Sequence, residues 1–181
     1  MKKWMIFCLM ALLLVGCSEE KSNKEEVNED DKKAESVLGS VPDFPIPLQT
    51  FIETYNQSER EGFTPIENNA AEVEFTEETN GYSKKLLDVD AESADHSITA
   101  MFDQDKRFVR ISYNEVIKNE ADEKAVVTLL AVFDALGIDT NYIEEFIASG
   151  NDHMDFTSGD YKVSFRNMSD ANILNVAIES K

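Results

Sequence analysis

The apolar positions change their spacing along the chain, and each spacing points to a different element. Leu48, Phe51, Ile52 and Tyr55 fall at i, i+3, i+4 and i+7 behind Pro47. That predicts a helix opened by a residue whose missing N–H is not needed there. Alternation then takes over. Ala71, Val73 and Phe75 alternate with Glu72 and Glu74, Ile98-Ala100-Phe102 and Val109-Ile111-Tyr113 repeat the pattern, and Tyr82 to Leu87 is a weaker case. A period of two is that of a half-buried strand. Asp103 to Lys106, between two such runs, reads as a hairpin turn, so the four runs predict an antiparallel meander.

After Glu115 the period lengthens. Asn119 with Asp122 offers an N-cap, Ala125, Leu129, Val132, Phe133 and Leu136 form a helical face, and Gly137 ends it. Asp139 or Asn141 opens another helix carrying Tyr142, Ile143, Phe146 and Ile147, closed by Gly150. Gly150 to Asp160 reads as a helix-to-strand loop. Tyr161-Val163-Phe165 and Leu174-Val176-Ile178, joined by a polar turn at Asn167 to Asn172, make a C-terminal hairpin. The expected class is α+β: one antiparallel sheet of about six strands, a meander plus a hairpin, with about three helices on one face. Between Ala125 and Leu136 only Thr128 and Asp134 are polar. Such a helix is expected to lie between the sheet and a neighbouring helix. The alternative is that Val126, Val127 and Leu130 form an exposed partner-binding face.

The first residues follow other rules. Lys2 and Lys3 precede an unbroken apolar run from Met5 to Val15, then Gly16 and Cys17. A positive start, a short apolar core and a small residue before the cut describe a secretory signal. The stretch from Trp4 to Gly16 is too short to cross a bilayer, which takes about 20 residues. Leu14-Val15-Gly16-Cys17 resembles the lipobox of bacterial lipoproteins. The resemblance implies cleavage between Gly16 and Cys17 and a diacylglyceryl thioether on Cys17, with further acylation (such as palmitate) of the new amine. Two or more acyl chains hold a protein stably on a membrane where one does not. Cys8 leaves with the signal, so the mature chain carries no free thiol.

Three segments follow: a signal peptide at 1–16, the lipidated cysteine and an acidic tether at 17–42, and one globular domain at 43–181. Ser18 to Ser36 holds eight acids and four lysines with only Val27 and Ala34 apolar, which is expected to act as a solvated spacer. The whole chain has 17 Lys and Arg against 36 Asp and Glu, a net charge of −19. This balance argues against nucleic acid as a partner, because phosphate binding relies on clustered cations. It also keeps a tethered body off an anionic lipid surface.

Chemistry-bearing motifs are sparse. Gly81-Tyr82-Ser83 begins like a nucleophile elbow but lacks the closing glycine. No glycine pair has the spacing of a phosphate-cradling loop, so nucleotide binding has no support. Asp88, Asp90 and Glu92 alternate as in a calcium loop, yet Ser93 and Thr99 stand where glycine and glutamate are needed. Asp152, His153, Asp155 and Asp160 are candidate ligands for Ca²⁺ or, through His153, for a transition metal. Lys106, Arg107 and Arg110 form the one compact basic group, read as charge balance beside the hairpin. With no catalytic or cofactor-binding residue identified, the leading expectation is a non-enzymatic module at the extracytoplasmic face of the cell membrane. It would bind or modulate an envelope protein and carry no cofactor beyond the lipid on Cys17. Two alternatives stay open: an envelope hydrolase using paired carboxylates or a loop-bound metal, and capture of a cation or small ligand by the acidic loops.

Overall fold

In the computed structural model the residues described are 41–67, 69–119 and 122–181. The signal, the lipobox with Cys17, and the acidic run to residue 40 lie outside them. Helix α1 spans Leu48–Tyr55 behind Pro47 and buries Phe51, Ile52 and Tyr55, as its spacing requires. Strands β1 (Thr76–Glu78), β2 (Gly81–Val89), β3 (Ala94–Phe102) and β4 (Phe108–Ile117) follow as a meander. Then come α2 (Glu123–Leu136), α3 (Asn141–Ser149), β5 (His153–Ser158), β6 (Tyr161–Met168) and β7 (Ile173–Ser180). All seven strands form one antiparallel sheet in the order β1-β2-β3-β4-β7-β6-β5. The fold is α+β, and among the described residues no helix is long and apolar enough to cross a membrane.

Two expectations are corrected. The run Ala71-Val73-Phe75 is not a strand: Ala70–Glu72 makes a 3₁₀ turn, Val73 stands exposed, and β1 begins only at Thr76. Gly150 to Asp160 is not a plain loop either. His153–Ser158 pairs along its whole length with β6 and becomes the seventh strand, at the edge of the sheet. The C-terminal hairpin is therefore a three-stranded meander.

Helix ends follow local chemistry. The Asp122 carboxylate accepts from the Lys124 N–H at 2.8 Å and caps α2, which closes at Gly137 in a left-handed conformation. Asp139 accepts from the Asn141 N–H at 3.0 Å just before α3. Gly81 starts β2 with φ of +152°, and a Cβ there would lie 2.1 Å from the Phe102 carbonyl oxygen, so only glycine fits against the neighbouring strand.

The crossover through α2 and α3 carries the chain from β4 to the far edge, and it covers one face of the sheet on the way. Ala94, Ile98 and Ala100 of β3, Ile111 and Tyr113 of β4, Val163 and Phe165 of β6, and Val176 and Ile178 of β7 are all buried on that face. Phe165 sits between Phe146 of α3, at 4.7 Å, and Phe133 of α2, at 6.0 Å. Tyr142 of α3 stacks on Phe156 of β5 at 3.8 Å, which explains why this edge strand is half-covered. On α2, Val126, Val127 and Leu130 are half-buried. Among the described residues the most exposed large apolar side chain is Ile147 of α3 at 67%.

Candidate functional site

Among the described residues the opposite face of the sheet carries no helix, and strand register fixes which side chains meet there. Arg110, Glu179 and Lys162 align across β4, β7 and β6, with Thr157 next on β5. One step along, Ser112, Ala177, Ser164 and Asp155 align, and beyond them Asn114, Asn175, Arg166 and His153. The middle row is short-chained at Ser112, Ala177 and Ser164, whereas the rows on either side are long. A hollow of about 670 Å³ results, lined by Arg110, Asp155, Lys162, Arg166 and Glu179 above Ala177. A second hollow of about 410 Å³ shares Arg110 and Glu179 and extends over Met101 to Gly81 and Val41. The open face is thus a trough running from β2 to β5.

Charges in the trough are held in pairs. Arg110 Nε donates to Glu179 Oε1 at 2.6 Å, and its Nη2 reaches the same oxygen. Asp155 accepts from the Ser164 hydroxyl, from Arg166 Nη1 at 3.0 Å and meets His153 Nε2 at 2.6 Å. The Ser164 hydroxyl first, then Arg166 and His153, hold the Asp155 carboxyl far below the usual carboxylate range. Arg166 Nη1 also donates to the Phe165 carbonyl at 2.9 Å. Lys162 makes no ion pair and no side-chain hydrogen bond among the described residues. Asn175 Nδ2 donates to Asn114 Oδ1 at 2.7 Å and to Ser112 Oγ at 3.1 Å, which fixes the floor.

This arrangement does not form a serine–histidine nucleophile pair. Ser164, Asp155 and His153 sit together, but the carboxylate stands in the middle, between hydroxyl and imidazole. A nucleophile needs the imidazole beside the hydroxyl to take its proton, and a carboxylate so firmly ionised is a poor base.

Of the four candidate metal ligands, the structure brings together His153 and Asp155 only. Asp152 precedes β5, and Asp160 lies beyond the other end of that strand, where its carbonyl accepts from the Lys181 N–H at 2.8 Å. Among the described residues no three His, Cys, Asp or Glu side chains cluster as metal ligands would. Asp88 pairs with Lys85 at 2.9 Å, while Asp90 and Asp95 share Lys118 at 2.8 and 2.7 Å, and Glu92 accepts through its backbone from Asn119. The basic trio separates. Lys106 lies 4.9 Å from the ring centres of Phe75 and Tyr82, Arg107 pairs with Asp103 and Asp43, and only Arg110 joins the trough. Lys162, Ser164, Arg166 and Glu179 were not singled out by their sequence. The polar positions alternating with Tyr161, Val163 and Phe165 are the signal that marks three of them as outward-facing.

A second group of polar side chains lies inside the core. His96 of β3 is 2% exposed, its Nε2 3.1 Å from Thr128 Oγ1 of α2, while its buried Nδ1 has no partner among the described residues. Tyr113 donates to the Ala125 carbonyl at 2.9 Å and lies 3.2 Å from Glu115, which faces His96 across the ladder. Burial pushes the Tyr113 hydroxyl and the Glu115 carboxyl up and the His96 imidazole down. His96, Tyr113 and Glu115 line none of the hollows described, so the group ties α2 to the sheet.

No protein-family model, curated protein or solved structure matches the chain.

Proposed function

We propose that the chain is a lipid-anchored extracytoplasmic binding module, held through Cys17, which meets an envelope partner on the open face of its sheet. The anchor rests on the lipobox resemblance of Leu14-Val15-Gly16-Cys17. The recognition surface rests on one observation: the trough on the uncovered face gathers Arg110, Lys162 and Arg166 around a small-residue floor in a body that is otherwise strongly acidic. A solvated sheet face alone is ordinary. A hollow with three cations at its rim, two of them guanidinium groups suited to planar oxyanions, is a binding surface.

The test places a photo-crosslinking residue at Ala177, on the trough floor, or at Glu145, exposed on α3, in the lipidated protein in living cells. Ala177 should yield a discrete adduct and Glu145 none. Adducts from Glu145 alone would overturn the assignment of the face. For the anchor, Cys17→Ala should move the protein out of the membrane fraction and abolish fatty-acid labelling; unchanged labelling would overturn it.

A further inference from the structure

We infer that the trough has an occupant within the chain itself: the acidic stretch from Glu25 to Glu35 docks on the open face, over Arg110, Lys162 and Arg166. This inference needs no external partner and stands apart from the reading above.

The first argument is where the described chain begins. Val41 lines the smaller hollow together with Arg110 and Glu179. Two contacts hold the chain there: the Phe44 N–H donates to the Phe108 carbonyl at 2.7 Å, and Asp43 lies 3.4 Å from Arg107. The described chain therefore begins at the rim of the trough, next to its first cation.

Reach is the second argument. Arg110 and Lys162 are two strands apart, about 10 Å, and Lys162 and Arg166 are four residues apart on β6, about 13 Å. Glu35 stands six residues before Val41, a span of up to about 20 Å. Glu35 can therefore meet Arg110 or Lys162, and Glu29, Asp30 and Asp31, further upstream, can meet Arg166.

Charge is the third. Residues 25–35 hold six acids (Glu25, Glu26, Glu29, Asp30, Asp31 and Glu35) against Lys32 and Lys33. The trough sets Arg110, Lys162 and Arg166 against Glu179 and Asp155, with His153 beside Asp155. Its donors are not used up. Lys162 has no partner among the described residues, and Arg166 engages its carboxylate and carbonyl through Nη1 alone. A guanidinium has five N–H donors, so carboxylates can be added without breaking the pair with Asp155. Each contact is weak, but a segment tied at Val41 meets the face at an effective concentration on the millimolar scale, which a free peptide would not reach. An external partner on this face would have to displace the segment, so the tether acts as a built-in competitor.

The test uses the mature chain from residue 17 with Cys17→Ser, so that Asn28→Cys supplies its sole thiol for a nitroxide label. Amide NMR signals of Ser112, Lys162, Ser164 and Arg166 should lose about threefold in intensity at low salt, while those of Glu144 to Ile147 on α3 stay unchanged. The loss should disappear in about 0.5 M salt, where screening shortens to a few ångströms. It should disappear also in the Lys162→Glu, Arg166→Glu double variant, whose amide spectrum reports that the fold persists. Equal broadening on both faces, no broadening on the open face, or broadening indifferent to salt would each overturn the docking. An external partner is read separately, from adducts of Ala177 that join the protein to a second polypeptide and so raise its mass by that of the partner.

Discussion

On β4, Ile111 and Tyr113 are fully buried beneath the helices, whereas Arg110, Ser112 and Asn114 look out over the trough. The same alternation repeats on β7, with Val176 and Ile178 covered and Asn175, Ala177 and Glu179 open, and on β6 with Phe165 against Ser164 and Arg166. One backbone therefore serves two surfaces that follow different energetics. The covered face gains from apolar area and cannot yield a side chain without leaving a cavity. The open face holds solvated pairs whose removal changes stability little. Stability and recognition should then be separable by mutation, side by side on the same strand.

The largest effect is expected at the centre of the covered face. Phe165→Ala removes a ring packed against Phe133, Phe146 and Phe156 and should cost about 3–5 kcal/mol in urea denaturation. Tyr113→Phe keeps the ring but removes one hydrogen bond from the Ala125 carbonyl and one from the Glu115 carboxyl, for a loss of about 1 kcal/mol. A smaller, pH-dependent term comes from His96. Burial keeps its imidazole below the ordinary value of 6.5, so the unfolded chain takes up a proton that the folded chain refuses. The His96 contribution should therefore fall as pH drops through 6.5, and the urea midpoint of His96→Gln should decline less over that range. Glu115 acts with the opposite sign. Its raised carboxyl pKa makes its contribution fade as pH rises above the ordinary value of 4.5, and Glu115→Gln should stabilise the protein at neutral pH. The smallest effect lies across the sheet, where Arg166→Ala should cost less than about 1 kcal/mol because its pair with Asp155 is exposed. A large loss there would show that the two faces are not energetically separate.

The covered face was legible in the sequence because its signal is local. Ile98-Ala100-Phe102, Val109-Ile111-Tyr113 and Leu174-Val176-Ile178 alternate within a single strand, and the capping by Asp122 and Gly137 is written in adjacent residues. The edges were not. β1 contains only Thr76, Glu77 and Glu78, so its place depends on ladder hydrogen bonds to β2 and not on any apolar pattern, while the alternation just before it led elsewhere. β5 has only Met154 and Phe156 as apolar residues among charges, and a half-covered edge strand looks much like a loop. The trough was illegible for a further reason. Its cations come from β4 and β6, which become near neighbours only because β7 inserts between them, and strand order leaves no mark in a period of two.

The separation of the faces is tested most directly by one triple variant, Arg110→Ala with Lys162→Ala and Arg166→Ala, carrying the crosslinking residue at position 177. The account predicts that the adduct falls at least about tenfold. An adduct of undiminished yield, from a protein whose urea midpoint matches that of the parent, would contradict it.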